Sequence, residues 1–293
     1  MKNKHKLSTF DIVVTILMAI VLFICIYPFI YELAISLSDG KAVAAGRITF
    51  YSIGTNLQSY LYILTAKRLG IVKGFINSVI YTGLGTIVAV VVTFMTAYVL
   101  TRRKFRMRKL IMFLFMMCYV FEAGIVPTYI IQSKLGLVNN ILVMIVPMAI
   151  NTYLLIICRT FLHQIPVSIE EAAVVDGAND WTIMWKIFFP VSKPTIATIT
   201  LFYLVQKWND YLTPLIYLQK KELQPLQLIL YNFTAAANST GSPLENVNVN
   251  GHMLTYQTLT AAIVIITIVP ILLVYPFAQN YFTTGLMVGS VKE

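Results

Sequence analysis

Apolar residues along this chain fall into long, nearly unbroken runs. They do not follow the two-residue alternation of a half-buried strand or the 3.6-residue stripe of an amphipathic helix. A run of roughly 17–25 apolar residues is long enough for a helix to cross the hydrocarbon core of a bilayer. Six such runs are present, at about 12–36, 75–100, 110–131, 140–157, 194–218 and 256–281. Pro28 places an expected kink in the first run. Ala42-Val43-Ala44 behind that run imitates a signal-peptidase site. The run is nevertheless longer than the roughly 7–15 residues of a signal-peptide core, so it reads as an uncleaved anchor. The pattern predicts an all-α, polytopic membrane protein with six transmembrane helices.

Composition agrees. The chain of 293 residues is 58% hydrophobic and 12% charged, with a mean hydropathy of +0.77. A soluble chain would carry about 25% charged residues. The net charge of +10 would permit a nucleic-acid partner, but the placement of the cations excludes one. They border the apolar runs, where Lys and Arg set orientation. Arg102, Arg103, Lys104, Arg106, Arg108 and Lys109 share one short hairpin, which fixes that hairpin in the cytoplasm. An even number of spans then places both termini there, and Lys2, Lys4, Lys6, Arg159, Lys186, Lys193 and Lys292 fall on the same side. The basic hairpin also suits contact with lipid headgroups. Cys25, Cys118 and Cys158 lie in or beside apolar runs without metal-ligand spacing and read as free thiols. The stretch 219–255, rich in Asn, Ser, Thr and Gly, reads as a polar outer loop.

The segment from Ile165 to Pro194 is too polar to span and too organised to be a linker. Ser168 with Glu171 three residues later has the form of a capping box. Glu170 and Glu171 would sit at the positive end of the helix dipole. Ala172 and Ala173 keep the helix thin, so another chain can approach. Gly177 supplies a stop, Asn179 or Asp180 a second N-cap, and Pro190 a second stop. A helix–turn–helix with an acidic, small-residue surface follows.

This segment resembles the EAA loop of binding-protein-dependent ABC importer permeases. Glu171-Ala172-Ala173, Gly177, Ile187 and Pro190 match its frame, with Phe189 in place of the usual Leu. Glu170, Asp176, Ala178, Trp181, Lys186 and Pro194 match the fuller form of sugar permeases. Trp208-Asn209-Asp210 and the C-terminal stretch from Tyr275-Pro276-Phe277 to Lys292 extend the likeness from about Ile71 onward. The chain looks like a MalG-type subunit of the complex-oligosaccharide branch. The resemblance implies a MetI-like permease core with a cytoplasmic coupling helix–turn–helix, in the bacterial cytoplasmic (inner) membrane. It implies docking of an ATPase on Glu170, Glu171, Ala172, Ala173, Asp176, Gly177 and Ala178. It further implies a second related permease, two ATPase subunits and an extracytoplasmic sugar-binding protein. No cofactor is expected in this chain, which has no Gly-rich phosphate loop; ATP and Mg belong to the partner ATPases. The expected division is 1–70, with the tail, first span and outer loop, and 71–293, the permease domain with the docking loop at 165–194.

Ionisable residues inside spans are costly and point to function. Glu122, Lys207 and Asp210 are of this kind, and similar depth makes a Glu122–Lys207 or Lys207–Asp210 pair an expected brace. Asn151, Gln206, Trp208, Asn209, Asp210 and Tyr211 are the candidate sugar-pathway residues, because sugars need amide hydrogen bonds and aromatic faces. Asn and Gln serve interhelical hydrogen bonding equally well. Three rivals remain at this level: an importer permease for another solute class, a secondary transporter, and a non-transporting membrane scaffold or sensor. The second would need paired broken helices with a coupling-ion site.

Overall fold

The structure is a computed structural model that describes residues 8–238 and 247–290, with side chains at 8–235 and 247–276. Lys2, Lys4, Lys6 and Lys292 lie outside the described residues, as do the side chains of the C-terminal stretch from 277. The chain divides into two compact units: residues up to Ile71 with Leu230–Val269, and Val72–Ile229 with Pro270 onward.

In the first unit, helix α1 (Thr9–Ser36) starts at Ser8, whose N–H donates to the Asp11 carboxylate at 2.9 Å. It passes through Pro28 and is exposed until its last turn, where Ala34, Ile35 and Ser36 are buried. Those residues join Val43, Ile48 and Ala261 in a small core. Ser36 Oγ shares a hydrogen bond of 2.7 Å with Tyr60 on the short helix Gln58–Thr65. The expected polar outer loop holds more structure than its composition foretold. A helix (Leu226–Asn238) occupies part of it, and an antiparallel hairpin pairs Val247–Val249 with His252–Leu254 around Asn250-Gly251.

The second unit is built on α2 (Ile71–Thr101). Its buried positions Ser78, Thr82, Thr86, Ala89, Thr93, Ala97 and Leu100 recur every three or four residues, the period of one helix face. Around it lie α3 (Arg108–Val120), α4 (Ile125–Lys134), α5 (Thr152–Gln164), α6 (Val167–Val175), α7 (Asp180–Val191) and α8 (Lys193–Trp208). Two further helices divide between the units: α9 (Leu226–Asn238) and α10 (Tyr256–Ser290), of which 230–238 and 256–269 belong to the first. Among the described residues, three helices are long and apolar enough to cross a bilayer as they stand: α1, α2 and α10 over Tyr256–Pro276. Counting each of three bent pairs as one span, by length and composition, gives up to six: α3 with α4 at 119°, α5 with α6 at 69°, and α7 with α8 at 81°.

Three expected spans differ from the sequence expectation. The run expected as one span over 110–131 stops at Val120 and resumes at Ile125 after a bend of 119°. The run expected as one span over 140–157 holds a 3-10 turn at Ile141–Met144, and α5 begins only at Thr152. Pro147 interrupts the ladder between them. Asn151 then caps α5, its Oδ1 accepting from the N–H groups of Tyr153 (3.0 Å) and Leu154 (3.2 Å). The run expected over 194–218 ends as a helix at Trp208. There Asp210 Oδ1 accepts from Thr213 N–H at 3.0 Å and starts the short helix Leu212–Tyr217.

Polar side chains tie these helices from inside. The fully buried Tyr203 on α8 bonds Thr93 on α2 at 2.7 Å, and its hydroxyl accepts from Asn151 N–H at 2.8 Å. Three elements therefore meet on one phenol. Lys207 is only 7% exposed. Its ammonium donates to the Met144 carbonyl at 3.2 Å, satisfying a carbonyl at the end of the 3-10 turn. No direct ion pair joins Lys207 to Glu122 or Asp210 among the described residues, although the Asp210 carboxylate is near enough to act on the ammonium through space. Glu122 sits exposed at the α3–α4 break, and Asp210 is engaged in capping.

Lys207 reaches Met144 by lying across Gly85. A methyl at Gly85 would fall 2.8 Å from Lys207 Cδ and 3.0 Å from its Nζ, whereas at Gly83 it would meet nothing. Gly85→Ala should therefore dislodge the ammonium and lower the unfolding midpoint in detergent by several degrees, a cost of about 1–3 kcal/mol. Gly83→Ala should leave the midpoint in place or raise it.

Candidate functional site

Ile165 is extended at φ −66, ψ 126 and Pro166 follows at φ −57, ψ 136. Proline disfavours a helical residue before it and presets its own φ, so α5 stops and α6 starts at Val167. The expected capping box is therefore absent. Ser168 stands inside the first turn of α6, and no side chain caps that end. The C-terminal stop is as expected. Gly177 has φ +79; its N–H donates to Val174 O at 3.0 Å and that of Ala178 to Ala173 O at 2.9 Å. That pair of bonds is a Schellman motif, which places a glycine at this left-handed position. A β-carbon there would meet nothing within 4 Å, so backbone conformation alone selects it.

Asn179 caps α7, its Oδ1 accepting from Thr182 N–H at 2.8 Å. The helix then widens into a π turn over Ile183–Phe188, where the Phe189 N–H reaches back five residues to Met184. Pro190 does not end the helix as expected. The wide turn lets the proline ring clear the carbonyl it would strike in a regular α-helix. The chain continues to Val191 and bends at Ser192 into α8.

One side chain outside the segment locks it in place. Arg102, at the end of α2, pairs with Glu170 on α6 at 2.6 Å. The same guanidinium lies 4.3 Å from the Tyr98 ring centre and 4.4 Å from that of Phe188. Tyr98 and Phe188 meet edge-on at 5.3 Å, and the Tyr98 hydroxyl donates to Asp180 O at 3.3 Å. An ion pair and two cation–π contacts at this partial burial are together worth about 2–3 kcal/mol. Further along α7, Trp181, Trp185, Phe189 and the fully buried Phe94 of α2 form a chain of ring contacts at 5.2–6.2 Å.

This clamp sorts the expected docking residues. Glu170 faces inward to Arg102, and Ala173 is buried in the main core. Glu171, Ala172, Asp176 and Gly177 are exposed, and Ala178 is half-buried. Ser168, Glu171, Ala172 and Val175 share one exposed face at i, i+3, i+4 and i+7. Val175 is 86% exposed. It escaped sequence reasoning, although its position four residues after Glu171 was signal enough. Arg102 escaped as well, because its charge read only as a marker of orientation.

The candidate sugar residues divide too. Asn151 is half-buried and its side-chain oxygen is engaged in the α5 cap. Trp208 is 5% exposed and packs edge-on against Phe75 at 6.0 Å. Gln206, Asn209 and Tyr211 are exposed around the end of α8, and Asn209 Oδ1 accepts from Gln227 Nε2 at 3.2 Å. Asp210 lies among them as the cap already described. Among the described residues no group of His, Cys, Asp and Glu forms a metal site.

The family of binding-protein-dependent transport system inner membrane components matches residues 7–287. The chain belongs to this family. The permease is 35% identical over 292 residues to the polygalacturonan/rhamnogalacturonan transport system permease protein YtcP of Bacillus subtilis, covering all of both chains. It is 33% identical to Protein LplC of the same organism, over 100% of this chain and 98% of that one. Its fold matches a chain in the crystal structure of a bacterial ABC transporter involved in the import of the acidic polysaccharide alginate. That match has a TM-score of 0.84 and 31% identity, covering 93% of the permease and 96% of the other chain. The permease is a multi-pass membrane protein and a transport subunit.

Removing the guanidinium should free the loop without unfolding the bundle. In Arg102→Met, amide hydrogen exchange over 167–191 should speed up by about thirtyfold, matching a loss of roughly 2 kcal/mol. Glu171→Gln, on the exposed face, should leave that exchange unchanged.

Proposed function

We propose that this permease carries an oligosaccharide of the acidic, plant- or alga-derived kind across the bacterial cytoplasmic membrane, driven by ATP hydrolysed in partner subunits. The observation that supports the reading most is the clamped α6. It offers Glu171, Ala172 and Val175 on one exposed face while Glu170 and Ala173 hold the helix to the bundle. A short, stiff helix with a small-residue outer face suits the groove of an ATPase. The basic hairpin argues that this face lies in the cytoplasm with both termini. Two ATPase subunits would bind ATP and Mg, one beneath this chain and one beneath a second, related permease. An extracytoplasmic binding protein would deliver the sugar. ATP-driven closure of the ATPases would move α6, and α6 would move α2 and α7 through Arg102 and the ring contacts, switching the bundle by rigid-body rotation.

The sugar class rests on the relatives, whose names specify polygalacturonan and rhamnogalacturonan, lactose, and melibiose with raffinose and stachyose. Gln206, Asn209 and Tyr211 are the residues of this chain placed to meet such a solute.

Gly177→Pro removes the N–H that bonds Val174 and forbids the left-handed φ. In proteoliposomes holding the whole transporter, this variant should insert and assemble but lose uptake, with ATP hydrolysis no longer stimulated by the loaded binding protein. Normal uptake would refute docking through α6. Asn209→Ala should lower uptake of oligogalacturonides by about tenfold while leaving ATPase docking intact. Unchanged uptake would remove Asn209 from the pathway.

A further inference from the structure

Two cavities open near the α2–α3 hairpin, and their charges differ. One of about 550 Å³ lies between the hairpin and α6; Arg102, Arg103, Lys104 and Arg108 there face Glu170, Glu171 and Asp180. Three carboxylates share its lining, Arg102 is paired with Glu170, and the cavity belongs to the docking site. The other, about 420 Å³, lies between the end of α2, the first turns of α3, and α5. Arg108, Lys109, Arg159 and His163 line it, and no carboxylate does. Among the described residues none of these four takes part in an ion pair. Arg159 is half-buried, and its Nε donates to Leu100 O at 3.4 Å. Among the described residues no protein group pairs its terminal amino groups. Gathering cations in a half-closed space without a counter-charge is unfavourable unless an anion joins them.

The rest of the lining says which anion. Below the cations the wall becomes apolar within two turns, through Met112, Phe113 and Met116. Phe113 is 58% exposed, and its neighbours Leu110 and Leu114 are exposed as well, on a helix of a membrane protein. A cationic mouth above an apolar wall that opens to the hydrocarbon has the polarity profile of a diacyl phospholipid, headgroup first. A soluble phosphate would use the cations and leave the apolar wall uncovered.

We propose that this cavity is a specific site for one anionic phospholipid. Lys109 and Arg159 hold its phosphate, Arg108 and His163 close the mouth, and an acyl chain runs along Met112 and Phe113. A lipid seated there bridges α3 to α5, the helix that leads directly into α6. Its occupancy therefore bears on how firmly the docking helix is anchored.

The test uses the complete transporter in nanodiscs of equal parts phosphatidylglycerol and phosphatidylcholine, released into native mass spectrometry. The wild type should retain phosphatidylglycerol over phosphatidylcholine. Lys109→Gln and Arg159→Gln should each weaken that preference roughly five-fold, and Arg159→Lys should keep it. A photoreactive phosphatidylglycerol should label wild-type peptides spanning 108–116 and 159–163, a reading that does not depend on any variant folding. Equal retention of both lipids, an unchanged preference in the Gln variants, labelling elsewhere, or full displacement of the lipid by millimolar inorganic phosphate would each overturn the proposal.

Discussion

Arg102 is one residue past the end of a 31-residue helix, yet the placement of α6 against the bundle turns on it. Its guanidinium meets a carboxylate on α6 and ring faces on α2 and α7. Planar, delocalised and always charged, it can pair edge-on and stack face-on at once, which a lysine cannot. Without it, α6 would be a nine-residue helix between two sharp turns. A helix that short is marginal in water on its own. Its definition comes from being held.

Elsewhere in the unit the same economy appears with neutral groups. Tyr203 joins Thr93 and the backbone of Asn151 where three elements converge. Lys207, a cation in this case, answers the buried Met144 carbonyl at the end of a 3-10 turn. A donor or acceptor left without a partner away from water costs several times what one bond contributes. Irregular backbone at membrane depth is tolerated only where protein satisfies it. The breaks at Pro147, Ser192 and Asn209 are thus coupled to the polar side chains around them: each interruption frees backbone groups that a neighbouring helix or a nearby cap must answer.

Local chemistry was legible in the sequence and distant pairing was not. Gly177 and Asn179 were readable because a left-handed stop and an Asx cap involve only a few consecutive residues. Ser168 misled because Pro166 fixes the helix start two residues earlier and overrides a capping pattern that is otherwise well formed. The bilayer-scale runs located α1, α2 and α10, since length and apolarity decide them. Apolarity cannot show where a run breaks, so the late start of α5 and the early end of α8 were missed. Lys207 stands out in the sequence as a cation inside an apolar run, but its partner is a carbonyl 63 residues away, and a backbone carbonyl carries no mark in the sequence. The inward role of Glu170 and the outward role of Glu171 could not be told apart until Arg102 was in place.

That last distinction limits how α6 can vary. Successive helical residues are rotated by about 100°, so adjacent glutamates point to different worlds. Inserting or deleting a single residue between Pro166 and Glu170 would turn everything downstream by that angle. Glu171 or Ile169 would come to stand before Arg102, and a different stripe would face outward. Substitutions can alter the chemistry of the exposed face one position at a time, but the spacing from Pro166 to Gly177 behaves as a reading frame. Divergent partners can be accommodated by changing letters in that frame, never its length.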